Sequence, residues 1–447
     1  MTESHPSDAR SDRPITLNAR APRQRSATEL WWLRPHRLLL CVVLPIYLSF
    51  LVHDFQNVAR NVYIPGGDYY FGILILLTLA TAAALGAGGA PVDPREGLDR
   101  RIVLPMGLSA FLLASTLAAY VIWFGPVLAD PQMVIDILTG ERMNIRDDVE
   151  TIPGVTSMVQ FGMAFVIAHA VRRHYTPEDL RWWEKLGLPL LFVCVLLRSV
   201  IWSERLALIE MVLAFVFSRL VFVQFRSRSS WIVANLLPIA APVALYLLFT
   251  GAEYFRSWEY YKNFYSSLWA FTFDRLVNYY ATSSNNGIGM LVESTDWPQF
   301  TGGSVASWLY HMPGIGPKLL ELTGAELPPF DEFLDRHLDA EFNNPSGLFP
   351  AIFDVGYLGS IIYFSIIGLM LGSGWRSYVR RHPAGMALFS SCTLFVLEFM
   401  RFDYFSITRF TPAFASLMLI VLLSRTVLNQ RRVVRAVAPS KAAAVAG

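Results

Sequence analysis

Six arginines stand where a hydrophobic chain has little reason to carry charge: Arg198, Arg205, Arg256, Arg275, Arg401 and Arg409. A charge in or near hydrocarbon costs on the order of 3 kcal/mol on insertion scales, so such residues tend to mark a pathway or a site. The planar fork of a guanidinium donates two hydrogen bonds to two oxygens, which suits phosphate. A ring of these groups fits a pyrophosphate; the plain alternative is a set of salt bridges to Glu204, Glu210, Glu253, Asp274 and Asp403. Two further groups compete for proton transfer. Asp354 sits in NNPSGLFPAIFDVGYLGS (343–360), beside Gly356 and Gly359. It lies about two turns into an apolar helix at roughly 1.5 Å per residue. A carboxylate there is a candidate general base, against a helix-cap or salt-bridge role. His311, in the Gly/Pro-rich WLYHMPGIGPK, is the second candidate, against a surface or packing role.

Such residues need a scaffold that holds them at a membrane face. Hydrophobic residues make up 54% of the 447-residue chain and charged residues only 16%, against about 25% charged in soluble domains. Apolar runs of about 20 residues recur, enough to cross roughly 30 Å of hydrocarbon. The fold class is therefore an all-α polytopic membrane protein with about ten transmembrane helices. They are expected at 37–53, 69–90, 102–124, 153–171, 186–202, 206–224, 230–250, 348–372, 384–400 and 409–428.

The positive-inside rule tests that number. With the tail that carries Arg20, Arg23, Arg25, Arg34 and Arg37 in the cytosol, ten spans put every basic cluster on one side. Those clusters are PREGLDRR (94–101), RRHYTPEDLRWWEK (172–185), RSRSS (226–230), WRSYVRRHP (375–383) and NQRRVVR (429–435). Both termini are then cytosolic. Residues 1–36 read as a disordered tail with no cleavable signal peptide, 37–250 as helices one to seven, 251–347 as a large outer loop, 348–428 as helices eight to ten, and 429–447 as a second tail. Cys41, Cys194 and Cys392 fall inside predicted spans and read as buried small hydrophobes.

The outer loop carries twelve acids against five bases. Within it, LPPFDEFLDRHLDAEF (327–342) spaces Phe330, Phe333, Leu334, Leu338 and Phe342 at helical intervals, which predicts an amphipathic helix on the membrane-facing surface with His337 on its polar side. The aromatic-rich stretch 252–280 reads either as an interfacial belt or as a stacking platform for sugars. No P-loop, Gly-rich nucleotide fingerprint or metal-ligand spacing occurs, so neither cofactor nor metal nor nucleic acid is expected. Any chemistry must draw on an already activated substrate.

Ten spans, a large loop in the C-terminal third, and the segments SERLALIEMVL (203–213), YYATSSNNGIGML (279–291) and NNPSGLFPAIFDVGYLGS resemble the bacterial oligosaccharide repeat-unit polymerases of the Wzy type. The resemblance implies a GT-C-like glycosyltransferase of the inner membrane, independent of nucleotide sugars, whose site faces the periplasm. Its substrate would be an oligosaccharide on undecaprenyl pyrophosphate, polymerised into O-antigen, capsule or exopolysaccharide. A chain-length regulator and a flippase of the same pathway would be its partners. Arg205 and Arg275 match the family's functional arginines best. Arg198, Arg256, Arg401, Arg409, Tyr280, Asn285, Asn286, Asn343 and Asn344 would contact pyrophosphate or sugar, and Asp354 would accept the proton.

Two alternatives belong beside it. The related O-antigen ligases carry a His-Asn pair and then Glu-x-Gly-x-x-Gly. Here Asp354, Gly356 and Gly359 fit the glycine pattern, while Asn343-Asn344 stands where the His is expected. A lipid-linked oligosaccharide flippase would show internal repeats and charges near the bilayer midplane.

Overall fold

Away from water a backbone must satisfy its own N–H and C=O groups, and a helix does so within one segment. Helices accordingly occupy each of the ten apolar runs. They are α1 (Pro35–Phe50), α2 (Tyr69–Ala87), α3 (Met106–Trp123), α4 (Phe161–Tyr175), α5 (Trp182–Ile201), α6 (Arg205–Leu220), α7 (Arg228–Arg256), α9 (Pro350–Val379), α10 (Pro383–Glu398) and α11 (Phe410–Leu423). An additional long helix, α8 (Leu268–Glu293), lies inside the expected outer loop. This computed structural model describes residues 25–52, 61–64, 66–88, 100–139, 145, 149, 152, 154–202, 204–294, 296–325, 330–337 and 342–428. The side chains of Arg205 and Arg256 fall outside the described residues, although both backbones are helical.

The chain is thus a mostly helical protein of membrane type. Among the described residues, α2, α3, α7 and α9 are long and apolar enough to cross a membrane; α1, α10 and α11 are apolar but shorter. Some expected boundaries move. Residues 100–103 and 425–428 leave the helices and pair as antiparallel strands, Arg100 opposite Leu428 and Val103 opposite Arg425. A second short ladder joins Arg25–Ser26 to Gln224–Phe225. Each ladder joins two segments that the charge pattern assigns to one side.

The most extensive helix pair is α2 on α9, and small residues bring it together. A Cβ added at Gly368 would lie 2.6 Å from Ala82 Cβ, and one at Gly372 would overlap the Ala83 carbonyl oxygen. Gly86 packs equally closely from the other side, against the Leu369 carbonyl. This small-xxx-small approach is how helices associate when no hydrophobic force drives them. Gly88, at φ +72°, then ends α2. Gly86 thus packs the helix and Gly88 stops it.

Two other sequence features shape the bundle. Pro238 inside α7 has no N–H for the carbonyl four residues earlier, and Trp32 Nε1 donates to that carbonyl, Ala234 O, at 2.8 Å. Gly356, at φ +69°, breaks α9 near its start, so the chain from Pro350 to Val355 is set at an angle to the rest. Along α7 apolar side chains such as Ile239 (68% exposed) and Leu248 (71%) face outward. It pairs with α8 as a hairpin whose second arm starts at a Ser267 cap, Oγ accepting from Ala270 N–H at 3.2 Å.

The 251–347 region is therefore more than a loop with short amphipathic helices. From Ala281 to Leu291 every residue of α8 is buried. The amphipathic helix exists as Phe330–His337, but Phe333 and Leu334 pack on Tyr63 and not on an outer surface. His337 is held too, its Nδ1 2.9 Å from Asn61 Nδ2. Cys194 and Cys392 are half-buried and pack against the core, as small hydrophobes would, whereas Cys41 is exposed.

Candidate functional site

The turn between α10 and α11, residues 399–409, gathers most of the unusual charges into two clusters. In the first, Arg198 on α5 donates through Nε to Glu204 Oε2 at 2.7 Å and lies 4.4 Å from the Trp123 ring centre. Arg409 also pairs with Glu204, and its Nη2 donates to Glu210 Oε2 at 2.9 Å. Glu210 is 3% exposed and accepts from Tyr404 Oη at 2.9 Å and from Gln160 Nε2 at 3.3 Å. Two arginines face two glutamates, so the charge cancels. Burial alone would raise the Glu204 carboxyl; Arg409 and Arg198 outweigh it and hold it at about 2.

In the second cluster Arg401 donates through Nη1 to Glu398 Oε2 at 2.7 Å and through Nη2 to Asn344 Oδ1 at 3.3 Å. Its guanidinium lies 4.5 Å from the Tyr279 ring centre, 5.2 Å from Phe402 and 5.8 Å from Tyr280, within cation–π range. Burial works against charge on Arg401; Glu398 and the two tyrosines outweigh it and hold the guanidinium above its usual range. Asn286 donates through Nδ2 to the carbonyls of Phe342 (2.8 Å) and Asn344 (3.0 Å). Arg275 faces the Phe342 ring at 5.7 Å and pairs with Glu253 at 3.1 Å. The Phe342 and Tyr279 rings are 6.2 Å apart. Arg275, Phe342, Tyr279 and Arg401 thus form one continuous line.

Glycines make this convergence possible. A Cβ at Gly287 would lie 2.8 Å from Ser346 Cβ, and one at Gly347 would overlap the Phe399 carbonyl oxygen and stand 2.9 Å from Asp403 N. Ser346 and Phe402 form a parallel bridge. The NNPSG segment is thereby laid directly between α8 and the 399–409 turn. Among the described residues, Asn286 Oδ1, Asn344 Nδ2 and Arg401 Nε are buried without a hydrogen-bond partner.

Other expected site residues stand elsewhere or have structural partners. Asp354 is 1% exposed, and its carboxylate accepts four backbone N–H groups. Oδ1 takes those of Thr301 (3.1 Å) and Gly302 (2.8 Å); Oδ2 takes those of Ser304 and Val305, both at 3.1 Å. A carboxylate so occupied anchors the 299–306 loop, and its lone pairs are not free for a substrate proton. This arrangement is that of a loop anchor, with no lone pair turned toward a general-base role. Asn285 is likewise a clamp: Oδ1 accepts from the N–H groups of Tyr63 (2.7 Å) and Ile64 (3.2 Å), and Nδ2 donates to Asn61 O. His311 is exposed, its Nδ1 2.8 Å from Ser307 O, and contacts neither cluster. Asn343 is exposed, one residue from the second cluster. Tyr280 is half-buried in that cluster and stacks on Phe50 at 5.9 Å.

Three acids were read only as salt-bridge partners or not at all: Glu398, Glu210 and Asp403. Asp403 is buried, accepting from Tyr363 Oη at 2.5 Å and from Phe405 N–H at 2.9 Å. Burial pushes its carboxyl up to about 6, against the two hydrogen bonds that lower it. The signal that could have found it is its place two residues after Arg401 in the turn that follows an apolar helix. Comparison with known proteins leaves the geometry to speak for itself: no family model, no curated protein and no solved structure matches the chain.

Proposed function

We propose that this chain is a membrane glycosyltransferase that polymerises oligosaccharide units carried on undecaprenyl pyrophosphate, at the outer face of the bacterial inner membrane. One observation carries the proposal. The three segments that resemble repeat-unit polymerases, far apart in sequence, all meet the 399–409 turn. SERLALIEMVL reaches it through Glu204 and Glu210 on Arg409, YYATSSNNGIGML through Tyr279 on Arg401, and NNPSG through Asn344 on Arg401. In this reading the ten apolar helical segments are spans, both termini are cytosolic, and the turn faces the periplasm.

The chemistry follows from the groups at the turn. A hydroxyl of one lipid-linked unit attacks the anomeric carbon of the growing chain. A glycosidic bond forms, the bond from that carbon to the pyrophosphate breaks, and the lipid pyrophosphate leaves with the electron pair. The hydroxyl proton goes to a base. Asp403 fits that role better than Asp354, because its two hydrogen bonds leave lone pairs open and its carboxyl near 6 is poised for transfer. The resemblance gives the leaving group's positive charge to Arg205 and Arg275; Arg275 is already paired with Glu253 at 3.1 Å, which leaves Arg205 as the stronger candidate.

The test is reconstitution of purified protein in proteoliposomes with a lipid-linked repeat unit. The expected product is a ladder of longer lipid-linked oligosaccharides and free undecaprenyl pyrophosphate. Movement of the substrate across the bilayer without a new glycosidic bond would sink the enzyme reading in favour of a flippase.

A further inference from the structure

The second cluster carries more information than its charges. Arg401 is the residue that a pyrophosphate would be expected to find, yet Glu398 already neutralises it at 2.7 Å. An anion entering here would meet a buried carboxylate, 5% exposed, as closely as it met the guanidinium. What remains unsatisfied is of a different kind. Asn344 Nδ2 and Arg401 Nε are buried donors, and Asn286 Oδ1 is a buried acceptor, each without a partner among the described residues. Asn286 and Asn344 are 0% and 7% exposed.

These atoms belong to one small group. Asn286 Nδ2 holds the Asn344 carbonyl at 3.0 Å, and Arg401 Nη2 holds Asn344 Oδ1 at 3.3 Å. A rotated Asn344 amide would turn its NH2 toward the Arg401 guanidinium, so the Nδ2 atom stays the outward one. An unmatched mixture of donors and acceptor is costly when buried, on the order of 1–3 kcal/mol for each group. A phosphate offers only acceptors and would leave Asn286 Oδ1 unmet. A hydroxyl both accepts and donates, so neighbouring hydroxyls carry the acceptors and the donor that these three atoms call for. Tyr279, against which Arg401 stacks, offers an aromatic face beside them. Asn343, next to Asn344 in the chain, is exposed.

We propose that Asn286, Asn344 and Arg401 form a subsite for an uncharged, polyhydroxylated ring, a neutral monosaccharide unit, and that the pyrophosphate binds elsewhere. The proposal rests on the glycosyltransferase reading, from which it takes the carbohydrate nature of the ligand; the residues themselves supply the neutrality and the hydroxyl pattern. It makes Asn344 and Arg401 specificity-determining contacts and removes both from the set expected to hold phosphate.

The test is binding, read apart from turnover. Purified full-length protein in detergent micelles is titrated with methyl glucopyranoside, methyl galactopyranoside and methyl mannopyranoside under saturation-transfer NMR, with and without inorganic pyrophosphate. At least one glycoside is expected to receive saturation from the wild type, and pyrophosphate is expected not to displace it. Arg401→Lys keeps the charge opposite Glu398 but loses Nε, and Asn344→Asp keeps the shape and the Oδ1 acceptor but loses both Nδ2 donors. Each should weaken glycoside binding about tenfold, the equivalent of one lost hydrogen bond. Thermal unfolding of each variant establishes that it is folded, and if one is not, the other still decides. The proposal is overturned if no glycoside binds the wild type, if pyrophosphate competes, or if folded variants bind as wild type. Glycoside binding with no ladder in proteoliposomes would sink polymerisation and leave the subsite standing; a ladder with no glycoside binding would do the reverse.

Discussion

Two ion clusters flank the same turn, and they are built to opposite rules. Around Arg409 every charge has its counterpart: Arg198 and Arg409 meet Glu204 and Glu210, and Tyr404 and Gln160 add hydrogen bonds to Glu210. Around Arg401 the charge meets one carboxylate among the described residues, Glu398, and polar atoms of Asn286, Asn344 and Arg401 are left without a partner there. Desolvating a charge is repaid only when geometry and extra hydrogen bonds are good. The first cluster comes closer to it: Arg409 Nε makes no hydrogen bond there, but it lies 2.6 Å from Glu210 Oε1. The second meets it only in part, which is what a site for an outside ligand looks like. The arginines that sequence analysis grouped as one ring thus divide into a brace and a site.

The largest effect expected is from breaking the brace. Glu210→Ala strands Tyr404 and Gln160 and takes one of two carboxylates from Arg409, which keeps Glu204. Removing one partner of a buried pair costs about 3–5 kcal/mol, so little folded protein should survive detergent extraction, as judged by gel filtration. Unchanged yield and melting temperature would mean the cluster is solvated and the contrast is false.

Arg401→Lys sharpens the comparison from the other side. Lysine keeps the charge beside Glu398 and loses the fork and its stacking. Melting should move by no more than the equivalent of about 1 kcal/mol, while polymer formation falls at least tenfold, about 1.4 kcal/mol in the barrier. Equal losses of stability and activity would make Arg401 another brace.

The loop anchor comes next. Asp354→Asn loses the ionised acceptor of four amides, and charge-assisted bonds are worth about 1.5–3 kcal/mol. Hydrogen exchange should rise in residues 299–306 and nowhere else on the same scale. Lost turnover with an unchanged loop would return Asp354 to the chemistry.

The two acids at the turn give opposite pH dependences. Glu204 is held at about 2, below its ordinary value, so its contribution to stability is present above about pH 4.5 and lost as pH falls toward 2. Glu204→Gln should flatten that acid limb of the melting curve. Asp403 is raised to about 6, so its contribution is present below its ordinary value and lost as pH rises through 6. Its rate effect runs the other way, because a base must be deprotonated: turnover should climb through pH 6, and Asp403→Asn should remove that limb. A limb that persists in the variant excludes Asp403 as the proton acceptor.

Much of the scaffold was legible because hydropathy is local. The ten apolar runs became helices since a buried backbone has few other choices. The partners were not legible. Arg198 and Glu204 are near neighbours, but Arg409 finds Glu204 and Glu210 about two hundred residues upstream, and no periodicity reports a contact of that separation. Arg275 pairs with Glu253 across the α7–α8 hairpin and not with adjacent Asp274, because a helix points consecutive side chains apart. Asp354 looked catalytic since its amide partners belong to a loop fifty residues away. Asn285 and Asn286 were singled out together, yet one clamps residues 61–64 while the other faces the site, a difference of one step around α8.

The most direct test of the central proposal compares lipid-linked and surface glycans from a deletion strain complemented with wild type or with Arg401→Lys. Polymerisation predicts a ladder with wild type, and single repeat units in the uncomplemented strain and the variant. Full-length polymer accumulating on undecaprenyl pyrophosphate in the deletion strain would contradict it and make the protein a ligase.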